Sequence, residues 1–365
     1  MQIKTNWEET RQRFTAWWAG QSTGRPLLHI WTKREHPIPN NFSPQPYNTV
    51  EERYLNAEKI TANYLDFFAN HEPRGEGYPE VSLNLGAGSL ALYVGSQPTF
   101  SKDTIWFEPV EGDYNTPGYL GLDPQNHWYK THLDMHKKAK EMLKGTDALL
   151  SIPDIVEHLD ILSSLRGTEA VCLDFYDFPE EVKSACKNLN RHYETCFDAL
   201  NEYCIDETGG NSFTAFNIWG PGRTAKVQAD IAAMLSPELF REFGIPAMKE
   251  QCGWLDNSLF HLDGPECICH VPALMEMEEL NALQWTPGYS NPSAGEEIWD
   301  DMYAKVKDAG KGLWVSLYDY GEEAVDKADR LVRKFGAQGF YFIFPHMERV
   351  DAEKLLIKAE REWKC

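Results

Sequence analysis

The chain has 365 residues, 42% of them hydrophobic and 13% aromatic, which is enough to bury a large core in one α/β barrel or in two domains. A formal net charge of -21 argues against nucleic-acid partners, which need clustered Lys and Arg, and disfavours anionic membranes. No run approaches the roughly 20 apolar residues of a membrane span, the opening segment does not resemble a signal peptide, and eight scattered cysteines without a Cys-x-x-Cys pair read as reduced thiols in a cytosolic protein.

Short apolar runs alternate with longer amphipathic stretches along the chain. The runs predict strands at 26–31, 81–85, 147–152, 212–218, 258–262, 282–285, 313–317 and 339–344. Between the first two, residues 50–70 place Val50, Tyr54, Leu55, Ile60, Tyr64, Leu65 and Phe68 at a largely helical period. Residues 179–203 repeat the pattern. Ser236-Pro237-Glu238 is a helix start, with serine as cap and proline in the first turn. Residues 295–309, 321–335 and 351–363 predict the last three helices.

Eight strands alternating with helices predict a (β/α)8 TIM barrel spanning 1–365 as a single domain. A doubly wound sheet is the alternative, but the first strand runs out as His29-Ile30-Trp31-Thr32-Lys33 without a glycine-rich turn, and no P-loop is present. Residues 33–49 and 95–128 stand out as N-terminal and lid-like insertions near the strand ends. Such segments form substrate walls or simply pack.

A barrel keeps its chemistry at the C-terminal strand ends. The most informative of these is His261-Leu262-Asp263-Gly264. Residues two apart on a strand share a face, so His261 and Asp263 would converge there as metal ligands or as acid and base. The plainer reading is an internal hydrogen bond for His261 and a turn cap for Asp263. Other tips add Trp31, Trp219, Trp285, Tyr318, Asp319 and His346, and the second insertion adds Trp106. The tryptophans suit the wall of a substrate pocket or ordinary core packing. Tyr318 and Asp319 are candidate catalytic groups, although Asp319 also reads as a helix cap before Gly321-Glu322-Glu323. With His346 as third ligand, His261 and Asp263 would make a site of mixed His and carboxylate type that fits catalytic zinc, harder than one with thiolates. Cys267-x-Cys269-His270 is the one other cluster of ligand-type residues.

Several segments carry a family resemblance by order and spacing. They are Pro153-Asp154-Ile155 with Leu165-Arg166-Gly167, Asp177-Phe178-Pro179-Glu180-Glu181-Val182, the helix from Ser236-Pro237-Glu238 to Phe243, and Gln284-Trp285-Thr286-Pro287-Gly288. Over roughly residues 140–350 the chain resembles the uroporphyrinogen decarboxylase superfamily, nearest its cobalamin- or corrinoid-dependent methyltransferase branch. The resemblance implies a (β/α)8 barrel. Methyltransferase members hold zinc with His-x-Cys and a later cysteine; here His261 is kept, Asp263 stands at the first cysteine, and His346 lies near the second. The arginine-rich segment of the decarboxylases proper is replaced by Gly24-Arg25-Pro26-Leu27-Leu28-His29, which points away from porphyrinogens.

The expectation is therefore a methyltransferase of demethylating type. It would move a methyl group from a small methoxy or methylated compound to a corrinoid carried by a partner protein, with zinc as Lewis acid. A metal-independent decarboxylase or lyase, drawing on Arg25, Lys33, Arg34 or Arg223 to hold carboxylates, is one alternative. A non-catalytic small-molecule binding protein is the other. The superfamily suggests a monomer or a homodimer.

Overall fold

A computed structural model describes residues 1–365. Thirteen strands are present. Chain order gives β1 (Leu27–Lys33), β2 (His71–Gly75), β3 (Glu80–Val81), β4 (Pro98–Phe100), β5 (Ile105–Phe107), β6 (Leu149–Leu150) and β7 (Gly210–Phe213). Then follow β8 (Ile218–Pro221), β9 (Thr224–Gln228), β10 (Asn257–Asp263), β11 (Ala282–Thr286), β12 (Gly312–Ser316) and β13 (Phe340–Ile343).

The main sheet runs β2-β1-β13-β12-β11-β10-β9, and every pair but β1–β2 is parallel. The ring continues through three shorter contacts. Asn211 of β7 exchanges side-chain hydrogen bonds with the Thr224 backbone of β9 at 2.9 Å. Ile152 N–H donates to Ser212 O at 2.8 Å, which sets β7 beside β6. β6 pairs with β3, and residues 76–79 carry the chain from β2 at the β1 edge into β3. This is a barrel of the (β/α)8 type, as the alternation predicts.

One departure matters for function. The run at 212–218 is not one strand. It is the end of β7, a reversal at 214–217, and the start of β8, which runs antiparallel to β7. Phe216 and Asn217 turn it with φ of +68° and +49°, a left-handed conformation uncommon outside glycine. The chain then rises again as β9, and β9 rather than β7 pairs with β10.

Helix α1 (Trp7–Trp18) covers the opposite end of the barrel. Phe14 is fully buried against Tyr78, Trp219 and Tyr341. The indole N–H groups of Trp17 and Trp18 donate to Gly339 O and Trp219 O, each at 2.8 Å. The predicted helix at 50–70 is two, α2 (Val50–Leu55) and α3 (Ala57–Asn70). Asn56 breaks it because its side chain accepts from Lys59 N–H at 3.0 Å and caps the second helix. Ser236 caps as expected, accepting from Leu239 N–H at 3.3 Å. No helix is long and apolar enough to cross a membrane. All eight cysteines are free.

Candidate metal centre

β9 brings a polar face into the barrel. Lys226 and Gln228 alternate with Ala225 and Val227, and all are buried. The Lys226 ammonium donates to Asp154 Oδ2 at 2.7 Å and to Gln228 Oε1. Gln228 in turn donates from Nε2 to Asp160 at 2.7 Å and to Asp230 at 3.1 Å. Asp160 also accepts the backbone N–H groups of Asp230 and Ile231, at 2.8 and 3.1 Å, which fixes the chain just beyond β9. Glu157 accepts Gln228 N–H at 2.6 Å. Asp154 and Glu157 lie on the turn after β6, where Val156 and His158 take positive φ of 53° and 28°.

At the tip of β10, His261 and Asp263 share the inward face and meet Asp230. One donor atom from each of the three lies within 4.8 Å of the others. His261 pairs in register with Gln284 of β11, so their side chains are neighbours on one face. Gln284 Nε2 donates to Thr286 Oγ1 at 2.8 Å, which leaves its Oε1 to accept from His261 Nδ1. The proton thus sits on Nδ1, and Nε2 keeps the lone pair a metal needs. Such an outer hydrogen bond commonly fixes a ligating imidazole.

Charge is tuned in the same direction. Burial, with nearby Lys226, lowers the pKa of His261 and favours neutral imidazole. Burial raises Glu157 to about 8 against the pull of Lys226. Asp230 rises to about 7 through burial and then Asp160, although its side chain keeps an open face. A divalent cation would relieve this crowding of carboxylates. One imidazole and two carboxylates with room for a further ligand are the donor set of a catalytic zinc or similar divalent ion, so the residues fit such a group. The Phe216 ring lies 5.0 Å from the His261 ring. Its strained turn is held by Trp314 Nε1–H donating to Phe216 O at 2.7 Å and the Tyr341 hydroxyl donating to Asn217 O at 2.8 Å.

The structure brings His261 and Asp263 together but not His346. His346 instead lies near Phe67, His71 and Tyr318, with ring centroids 5.9 to 6.3 Å away, and lines a separate cavity with Lys33 and His71. Asp230 takes the third place. Tyr318 and Asp319 are exposed on the turn after β12, with Tyr318 against His346 and no cap hydrogen bond from Asp319.

Of the tryptophans, Trp219 lies on the descending β8, buried, with its Nε1–H donating to Asp206 at 3.0 Å. It is not at a strand tip, because the chain reverses before it. Trp285 alternates with the inward Gln284 and Thr286, so it faces outward and packs on Trp299. Trp31 is buried against Phe67 and Phe68, and its Nε1–H donates to His29 at 2.9 Å. Trp106 is 64% exposed on the β4–β5 hairpin. In the other cluster, His270 bonds Ala232 O at 2.9 Å and Cys269 is exposed. Two of the cations considered for carboxylate binding are already engaged, Arg25 by Glu76 at 2.8 Å and Arg223 by Asp198 at 3.1 Å.

The sequence reading missed Asp230, Lys226 and Gln284. The signal was the alternation from Thr224 to Gln228, a strand pattern with its polar side turned inward.

No family model matches the chain, and no curated protein matches it. Among solved structures, a methyltransferase from Methanosarcina mazei aligns over 97% of this chain and 98% of its own, with a TM-score of 0.59 and 13% identity. A B12-independent methionine synthase from Shewanella sp. W3-18-1 aligns over 90% and 94%, with a TM-score of 0.43 and 8% identity. The first likeness establishes a shared full-length fold. The family resemblance seen in the sequence is met at that level.

Proposed function

We propose that this chain is a metal-dependent methyltransferase of demethylating type. It would move a methyl group from a small methoxy or otherwise methylated oxygen compound to the corrinoid of a partner protein. The observation that carries the reading is the convergence of Asp230, His261 and Asp263 at the barrel mouth, with His261 oriented by Gln284. The fold shared with the Methanosarcina mazei methyltransferase gives the direction.

Zinc, held by these three residues, would supply a Lewis acid that makes the ether or alcohol oxygen a better leaving group. The protein does the rest. Gln284 keeps the His261 proton on Nδ1. Lys226 holds Asp154 and Gln228, and through Gln228 and Asp160 it steadies Asp230. Phe216 covers one side of the imidazole and limits water there. The partner's reduced corrinoid would accept the methyl group, and the substrate oxygen would keep the bonding pair and take a proton from solvent. An ether or alcohol needs such activation, and an oxygen-rich ligand set suits it better than it suits thiol substrates.

The test is methyl transfer to cob(I)alamin, followed by absorbance, with zinc-loaded protein and a panel of methoxylated compounds and methanol. Wild type is expected to form methylcobalamin with at least one donor, and His261→Ala to lose at least a hundredfold in rate. Equal rates in the two proteins would overturn the reading.

A further inference from the structure

A second pair of imidazoles lies away from the metal centre, at the end of β1, four places along the sheet from β10. β1 ends at Lys33, opposite His71, the first residue of β2. A bridge between Thr32 and Met347 lays the segment after β13 alongside the same strand end and brings His346 with it. The rings of His71 and His346 lie 6.0 Å apart, centroid to centroid. They line a cavity of about 740 Å³, whose wall also includes Glu322 and Glu348.

The donor atoms of this pair are free. His71 stacks on Phe67, with ring centroids 4.2 Å apart, and its Nδ1–H donates to Phe67 O at 3.0 Å. That contact fixes the ring and its tautomer and leaves the Nε2 lone pair available. A carbonyl behind the other ring N–H is a common outer partner of a metal-bound imidazole. His346 is exposed, with no hydrogen-bond partner at either nitrogen. Glu348 stands two residues on from His346, and neither it nor Glu322 is held in an ion pair. Of the cations nearby, Lys354 is held by Asp351 at 2.9 Å and Lys358 by Glu362 at 2.8 Å. Lys33 opposes a metal ion, but it is exposed, and its long stem lets the ammonium turn to solvent.

We infer that His71 and His346 form a second metal site, which takes a divalent transition ion such as zinc or copper, with Glu348 and water completing the shell. Imidazole suits both ions, and copper binds nitrogen ligands the more tightly of the two. Imidazoles that share a tetrahedral ion at about 2.0 Å have ring centroids roughly 5 Å apart, so the pair must close by about 1 Å. Rotation of the exposed His346 supplies that movement. The bound ion ties the start of β2 to the segment after β13. Two ligands converge here against three at Asp230, His261 and Asp263, so this site holds metal more weakly and gives it up when free metal is removed. The inference does not depend on the functional reading above.

The experiment is a copper(II) titration of the full chain carrying His261→Ala, which takes the imidazole out of the first site, followed by electron paramagnetic resonance. The signal of the first equivalent is expected to show splitting from two imidazole nitrogens. Adding His71→Gln or His346→Gln should remove one nitrogen from the signal and weaken copper binding by about tenfold or more. His346→Gln alters an exposed side chain, so it keeps the test sound if His71→Gln disturbs folding. Zinc calorimetry of the chain without His261→Ala should lose only its weaker binding event in either glutamine variant. A copper signal without two nitrogens would overturn the inference, as would a His346→Gln variant that binds copper as tightly as its parent.

Discussion

Replacing Lys226 with methionine removes the one cation from a buried acidic network. Its ammonium is 2.7 Å from Asp154 Oδ2, with the two side chains 2% and 8% exposed. The pair is therefore close to fully desolvated, and removing one partner leaves the other buried and uncompensated. Breaking such a pair costs about 3–5 kcal/mol. For a chain of this size that corresponds to a fall in melting temperature of roughly 4–7 °C. The loss should be read by circular-dichroism melts in the presence of chelator. Asp154 and its carried charge are the cause, so Lys226→Met combined with Asp154→Leu should recover more than half of the deficit. Added zinc should also recover part of it, because a cation at the neighbouring carboxylates replaces some of the lost charge. A single variant as stable as wild type would refute this account. So would a double variant as unstable as the sum of its parts.

Glu80 gives a pH dependence. Burial raises it to about 8, against lowering hydrogen bonds from Ser212 and Tyr78. Its folded value exceeds the unfolded one, so the folded state retains a proton the unfolded state has lost, and stability falls as pH rises from about 4 to about 8. Glu80→Gln should flatten much of that slope and stabilise the protein at pH 9 by on the order of 4 kcal/mol, with Glu157 leaving a residual slope; denaturant melts across pH test it, and a slope unchanged in the variant would contradict it. Gln284→Leu removes the acceptor that orients His261 and should weaken zinc binding about 10–100-fold, measured by competition with a chromophoric chelator. Trp219→Phe, at the barrel's far end, should cost about 1 kcal/mol through the lost bond to Asp206 and leave ligand affinity and methyl transfer unchanged; a drop in either would restore Trp219 to the substrate wall.

The sequence made the barrel legible because parallel barrel strands are buried on both faces and read as apolar runs. The run at 339–344 contains β13 with one residue to spare at each end, and that at 313–317 overlaps β12 with a shift of one residue. The same signal failed at β9. Lys226 and Gln228 face inward, and their cost is met by partners far away in sequence, Asp154 and Asp160. Nothing local announces such a pairing, and Asp230 was hidden with it. The run at 212–218 was misread for a different reason. Its apolar content is continuous, and only the left-handed backbone of Phe216 and Asn217, residues that do not advertise a turn as glycine does, divides it. That error moved Trp219 to the wrong end of the barrel. His261 and Asp263 were found because their relation is local, two residues on one strand. His346 was not excluded by any local pattern. Its place depends on where α3 sets Phe67 and on His71 at the start of β2.

The most direct test of the metal centre is elemental analysis of the protein after zinc loading and removal of free metal, on wild type, His261→Ala and Asp230→Asn. The account predicts about one zinc per chain in wild type and a large loss in both variants, each retaining the wild-type circular-dichroism spectrum. Wild type without metal, or variants that keep a full equivalent, would contradict it.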